Sequence, residues 1–232
     1  MKKTTRRDFI KSSTVLTGGA MLGGLPLAQA ANNFTDDTIK VALIGCGGRG
    51  TGAAAQALLT KQNVKLVAMA DVFRERLDTA YKHITADDLT DIIGVEGSVK
   101  NRVDVPDERK YIGFDAYKKA MQHADVVILT TPPGFRPVHF AEAVEQGKQV
   151  FMEKPVATDA AGIRKVLEAA EKAKKKRLNV VVGLQRHYQL VYREWVDRLQ
   201  QGVIGDIVTS RVYWNMSARW VKDRKPGATE KA

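Results

Sequence analysis

These 232 residues contain one cysteine, Cys46, so no internal disulfide can form. The fold must hold by packing alone, even in an oxidising compartment. Aromatic residues make up only 7% of the chain, and none interrupts the basic run RKVLEAAEKAKKKR at 164–177. Without aromatic faces for base stacking, that run reads as the solvated, cation-rich end of a helix, and no nucleic-acid partner is expected. Also missing is an apolar run of the ~20 residues that a spanning helix needs. The most apolar stretch, 12–28, has 17 residues and holds Gly18, Gly19, Gly23, Gly24 and Pro26. No His, Cys and Asp cluster has metal-ligand spacing, so no metal is expected.

That stretch follows TTRRDFIKSS at 4–13 and precedes Ala28-Gln29-Ala30. Paired Arg6 and Arg7, then Phe9-Ile10-Lys11, a weakly apolar run and small residues at its end have the layout of a twin-arginine export signal. We therefore expect a signal over 1–30, a mature chain from Ala31 with no stable membrane span, and a periplasmic or otherwise exported location. That route carries folded proteins, often with a cofactor already bound. The remaining 202 residues carry 32 basic and 25 acidic side chains, a net of +7. They suit one medium domain, or one domain with a piece of another.

Beyond a polar linker at 31–37, strand-like runs at 39–44, 64–70, 111–112, 125–130, 149–152 and 179–184 alternate with helical patterns at 50–60, 73–83, 115–123, 138–146 and 159–176. Runs such as VVIL and VVVGL are apolar on both faces, as in parallel strands covered on each side. The alternation predicts an α/β Rossmann-type doubly wound sheet over 38–184. Residues 85–108 break the rhythm and read as an insertion or a long loop over the sheet edge. After Leu184 a helix is expected at 188–201 and a strand at 206–216, with Val208, Val212, Trp214 and Met216 on one face. One strand has no partner for its backbone groups. Residues 185–232 therefore read as the incomplete start of a second, α+β domain, finished by another chain or cut short.

Function concentrates in VALIGCGGRG. Gly45, Gly47 and Gly50 have G-x-G-x-x-G spacing between a strand and a helix. The first glycine permits a tight turn, the second lets a pyrophosphate approach the backbone, and the third lets helix and strand close up. Cys46, Gly48 and Arg49 complete the loop. Asp71 ends the second strand, 21 residues beyond Gly50, where a carboxylate accepts adenosine ribose hydroxyls and repels a 2′-phosphate. NAD is favoured, while Arg74 and Arg76 keep NADP open, since a guanidinium can bind that phosphate. Two further segments fall at strand ends on the same side: TTPPGFRPVH at 130–139, with Thr130, Thr131, Pro132 and His139, and Glu153-Lys154-Pro155. A cationic nicotinamide ring disfavours a second positive charge beside it, which suits Lys154 to take a proton from a substrate hydroxyl. Gln185, Arg186 and His187, just past the last strand, are candidate substrate contacts.

The glycine loop 45–50, Asp71, Thr131-Pro132 followed by His139, and above all Glu153-Lys154-Pro155 resemble the Gfo/Idh/MocA family, which includes glucose-fructose oxidoreductase and inositol dehydrogenase. The resemblance covers about residues 38–216. It implies an N-terminal NAD(P)-binding domain, a C-terminal domain on a large open antiparallel sheet, homo-oligomers at full length, and sugar, inositol or polyol substrates. It places Lys154 beside nicotinamide and substrate, Thr131 and Pro132 against the nicotinamide ribose, and Glu153 among the cofactor contacts. Two departures stand out. Pro133 occupies the place where the family commonly has Asn, and the family's second-domain histidine with its acidic neighbour has no counterpart in this stretch.

Export explains why such a protein would fold first. Free nicotinamide cofactor is scarce outside the cytoplasm, so it must travel bound and be regenerated in place. Three readings stay open: a sugar or polyol oxidoreductase; a glycosidase or lyase that oxidises a ring carbon transiently, like the exported α-N-acetylgalactosaminidases of the family; and a cofactor-binding fragment without turnover.

Overall fold

A computed structural model of the chain describes residues 37–215. The expected signal at 1–30, and Met216 with the residues after it, lie outside the described residues. Two compact units divide the chain, one ending at Gly183 and the other beginning at Leu184.

The first unit is a six-stranded sheet built in the order β1 Ile39–Ile44, α1 Gly48–Leu58, β2 Val64–Asp71, α2 Arg74–Ile84, α3 Thr90–Ile93, β3 Lys110–Ile112, α4 Ala116–Met121, β4 Val126–Leu129, α5 Arg136–Glu145, β5 Gln149–Met152, α6 Ala160–Lys175 and β6 Val180–Val182. The strands lie in the order β3-β2-β1-β4-β5-β6, and every pairing is parallel. The expected α/β doubly wound sheet is therefore present. Its order reverses between β1 and β4, the switch point at which loops on the two sides part and leave a crevice.

Alternation along β1 sends Ala42 and Ile44 into one core layer and Val41 and Leu43 into the other. The first layer packs the sheet on α4, α5 and α6, through Tyr117, Met121, Phe140, Val144 and Val166. The second packs it on α1 and α2, through Leu58, Leu77 and Ile84. Burying side chains of this size contributes roughly 1.5–3 kcal/mol each. Small residues Ala53, Ala54 and Ala55 let α1 lie close on the strands. β2 carries one extra residue, Val67, so that Val41 pairs with Leu66 and Ala42 with Ala68.

Residues 85–108 do more than pass over the sheet edge. Leu89, Val99 and Val105 are buried in the α1–α2 layer, and Val103 bridges Leu66 in parallel. The segment lacked periodicity because its apolar residues enter the core singly, from short turns. The basic run closes α6 as expected: Asp159 caps its start by accepting from the Gly162 amide at 2.6 Å, and Lys172 pairs with Glu145 at 2.6 Å.

The second unit holds a single turn, α7 Gln185–Tyr188, and α8 Leu190–Gln200. The helix expected at 188–201 is thus present. The strand expected at 206–216 is not: its described part, 206–215, has no regular structure. Alternation supplies a face but not ladder partners, and among the described residues none pairs with it.

Candidate functional site

Parallel strands put every strand C-terminus on one edge, so Gly45, Asp71, Thr130 and Glu153 emerge together at the ends of β1, β2, β4 and β5. The register fixes their heights, with Ile44 opposite both Ala70 and Leu129, and Leu129 opposite Met152.

The glycine loop needs its glycines for different reasons. Gly45 has φ +96°, and a Cβ there would lie 2.6 Å from the Thr131 amide nitrogen. At Gly50 a Cβ would lie 2.0 Å from the Gly45 carbonyl oxygen. Gly47 differs, since its backbone is extended and a Cβ would meet only Arg76 Nη1, at 3.7 Å. The space before Gly47 is open. Thr130 closes the loop from the side, its hydroxyl contacting the carbonyls of Gly45 (2.7 Å) and Ile44 (3.1 Å).

Asp71 reaches back across the loop. Its Oδ2 accepts from the Cys46 amide at 2.6 Å and its Oδ1 from the Phe73 amide at 2.9 Å. A carboxylate offers about four acceptor positions, so two remain for ribose hydroxyls. The Cys46 side chain faces the core, its Sγ 3.6 Å from the Ala70 carbonyl, and burial, then the Asp71 charge, push the thiol up. Only the backbone of Cys46 belongs to the loop surface. Of the two candidate arginines, Arg76 stands beside Gly47.

Across the switch point, Arg49 Nε donates to Glu153 Oε1 at 2.6 Å, tying the start of α1 to the end of β5. Glu153 is buried, and a Cβ on Gly183 would lie 2.8 Å from its Oε1. Its carboxylate goes to Arg49 rather than to the neighbouring Lys154. Lys154 is exposed on the same edge, in a cis peptide with Pro155. Pro132 is exposed and Thr131 half-buried. The imidazole of His139 is buried against Tyr117, at 4.1 Å between ring centroids, with Nδ1 3.0 Å from the Thr131 hydroxyl. Burial, then the Arg136 charge, push its pKa down to about 4, so it is neutral at ordinary pH.

Arg136 was absent from the sequence-derived set. Its Nη2 donates to the Thr131 carbonyl and its Nη1 to the Pro155 carbonyl. A charged residue inside the otherwise rigid and apolar PPGFRP was the signal. The expected substrate contacts Gln185, Arg186 and His187 form α7 in the second unit and are exposed there, with Arg186 stacked 4.6 Å from the Tyr192 ring. Among the described residues no group of three His, Cys, Asp or Glu side chains could hold a metal ion, and no helix is long and apolar enough to cross a membrane.

The residues present fit a dinucleotide. α1 begins without a side-chain cap and without an acid in its first turn, so its leading amides are left for an anion. The open space before Gly47 admits a pyrophosphate, and Asp71 keeps acceptor capacity beside it. Such a crevice defines a Rossmann-type dinucleotide-binding protein. The sequence model of the oxidoreductase family with an NAD-binding Rossmann fold, Gfo/Idh/MocA, matches residues 39–182, and the chain belongs to that family of NAD(P)-dependent oxidoreductases.

Among curated proteins, the chain is 25% identical over 239 residues to a glycosyl hydrolase family 109 protein of Shewanella baltica (strain OS185), covering 95% of this chain and 48% of that one. It is 30% identical over 156 residues to inositol 2-dehydrogenase of Acidiphilium cryptum (strain JF-5), covering 67% of this chain and 40% of that one. The chain spans about half the length, or less, of these relatives. Among solved structures, scyllo-inositol dehydrogenase of Lactobacillus casei with bound NAD(H) and scyllo-inositol superposes with a TM-score of 0.52 at 26% identity, over 73% of this chain and 43% of that one.

Proposed function

We propose that this chain is the cofactor-binding part of an enzyme that oxidises a sugar or polyol, with Lys154 as the base. The observation that carries this reading is the shared edge: glycine loop, Asp71 and Lys154 follow β1, β2 and β5 on one side of the sheet. Bound NAD supplies the hydride acceptor. The chain does the rest. Loop amides and the start of α1 hold the pyrophosphate, and Asp71 takes the adenosine ribose. Thr131, Pro132 and Glu153 shape the other end, with His139 acting through Thr131. Lys154 Nζ receives the proton of the substrate hydroxyl as that carbon is oxidised. Gln185, Arg186 and His187 are proposed substrate contacts.

A second reading has its own support, because the family 109 glycosyl hydrolase of Shewanella baltica matches across 95% of this chain. In that reading a ring carbon would be oxidised transiently, the substituent would leave by elimination, water would add in its place and the hydride would return, so that bound NAD would end unchanged. The full-length protein, loaded with NAD, separates the two. Net NADH formation on inositols or sugars supports the oxidoreductase. Release of a leaving group from an α-N-acetylgalactosaminide at constant NAD supports the hydrolase. If the full-length protein does neither and only binds NAD, the chain is a binding module.

We further propose export through the twin-arginine route, with the periplasm as destination. Arg6→Lys with Arg7→Lys should hold the precursor in the cytoplasm. Unchanged export would remove the argument that the cofactor travels bound.

A further inference from the structure

We infer that Arg136 is a positioning residue, which sets the spacing between the Thr131 turn and the Lys154–Pro155 turn and so shapes the nicotinamide end of the site. The inference rests on the dinucleotide reading above.

Arg136 opens α5 and is 2% exposed. From one planar fork it donates to two carbonyls on separate turns, Thr131 after β4 and Pro155 after β5. Its Nε–H finds no acceptor among the described residues. Burial pushes the Arg136 guanidinium pKa down, and the charge of Glu153, whose Oε1 is committed to Arg49, offsets that only in part. A charge buried this way, with one donor orphaned, is a poor device for stability alone. A methionine would fill similar space without either cost. No hydrocarbon, and no point-charge ammonium, can span two fixed carbonyls with a rigid fork.

The two carbonyls sit at particular places. Thr131 is the proposed ribose contact, and Pro155 follows the proposed base. His139 steadies the first of these turns independently, through the Thr131 hydroxyl. Arg136 has no contact with the adenosine end at Asp71 or Gly47. Its loss should therefore be felt at one end of the dinucleotide only.

The test uses the chain with Arg136→Lys and Arg136→Met, titrated calorimetrically with NADH and with ADP, which lacks the nicotinamide half. NADH affinity should fall about tenfold or more while ADP affinity stays within about twofold. Amide exchange should quicken in peptides covering 130–136 and 153–157 but not 71–76. Should Arg136→Met fail to fold, Arg136→Lys and its exchange pattern decide the matter. Equal losses for NADH and ADP, or no loss for either, would overturn the inference and leave the dinucleotide reading standing. If the unaltered chain binds neither, that reading falls and takes this one with it.

Discussion

The Cβ that Gly50 lacks would lie 2.0 Å from the carbonyl oxygen of Gly45, whereas one on Gly47 would touch nothing nearer than Arg76 Nη1 at 3.7 Å. Two glycines of one loop should therefore fail differently. We expect Gly50→Ala to lower stability by about 3 kcal/mol or more, since backbone stands in the way. Gly47→Ala should melt within a few degrees of the unaltered chain and still lose most of its NAD affinity. Thermal melts alongside calorimetric titration make the comparison. A Gly47→Ala chain that binds NAD normally would move the pyrophosphate elsewhere.

Asp71 serves both the loop and the cofactor. Asp71→Ala should narrow the preference for NAD over NADP by about 1–3 kcal/mol, the range of hydrogen bonds to charged groups. Stability should also drop, because the Cys46 and Phe73 amides lose their acceptor. Were NADP already the tighter ligand of the unaltered chain, Arg76 beside Gly47 would outweigh the carboxylate.

His139 gives the fold a pH dependence. Its pKa is about 4 in the folded chain against an ordinary 6.5, so the unfolded chain binds the extra proton between those values. Stability should then fall as pH drops from about 6.5 toward 4 and level off below. At about 1.4 kcal/mol per pH unit the ceiling is roughly 3 kcal/mol. His139→Gln keeps a polar partner for Thr131 and should flatten this slope in melts between about pH 7 and pH 4. An unchanged slope would assign the effect to other groups.

Lys154→Met preserves length and apolar stem while removing the ammonium. In the full-length protein, turnover should fall about 10²- to 10⁴-fold. NAD affinity should hold within about threefold, because the lysine acts on the substrate hydroxyl. Steady-state kinetics with a cofactor titration would tell, and undiminished turnover would remove Lys154 as the base.

The parallel strands were legible because apolar runs such as VVIL suit a strand covered on both faces, although VVVGL, on the edge strand β6, leaves Val181 exposed. The glycine loop and Asp71 were legible because each stands next to a strand end, so short-range spacing places them. Arg136 was not, since its partners lie 5 and 19 residues away along the chain, on turns whose approach depends on the β4–β5 register. The burial of His139 was hidden for the same reason: helical spacing places it on α5 but does not say that Tyr117 covers it. The 85–108 segment hid its core residues because single apolar side chains in short turns have no period to detect.

The placement of Cys46 has a practical side. Sealed at 3% exposure and kept protonated, it is out of reach of maleimides and of air oxidation. This 232-residue chain is thus a silent background for thiol chemistry. A cysteine introduced on any exposed turn would be the sole labelling handle, and dyes attached there would report on the crevice without stripping a native thiol first.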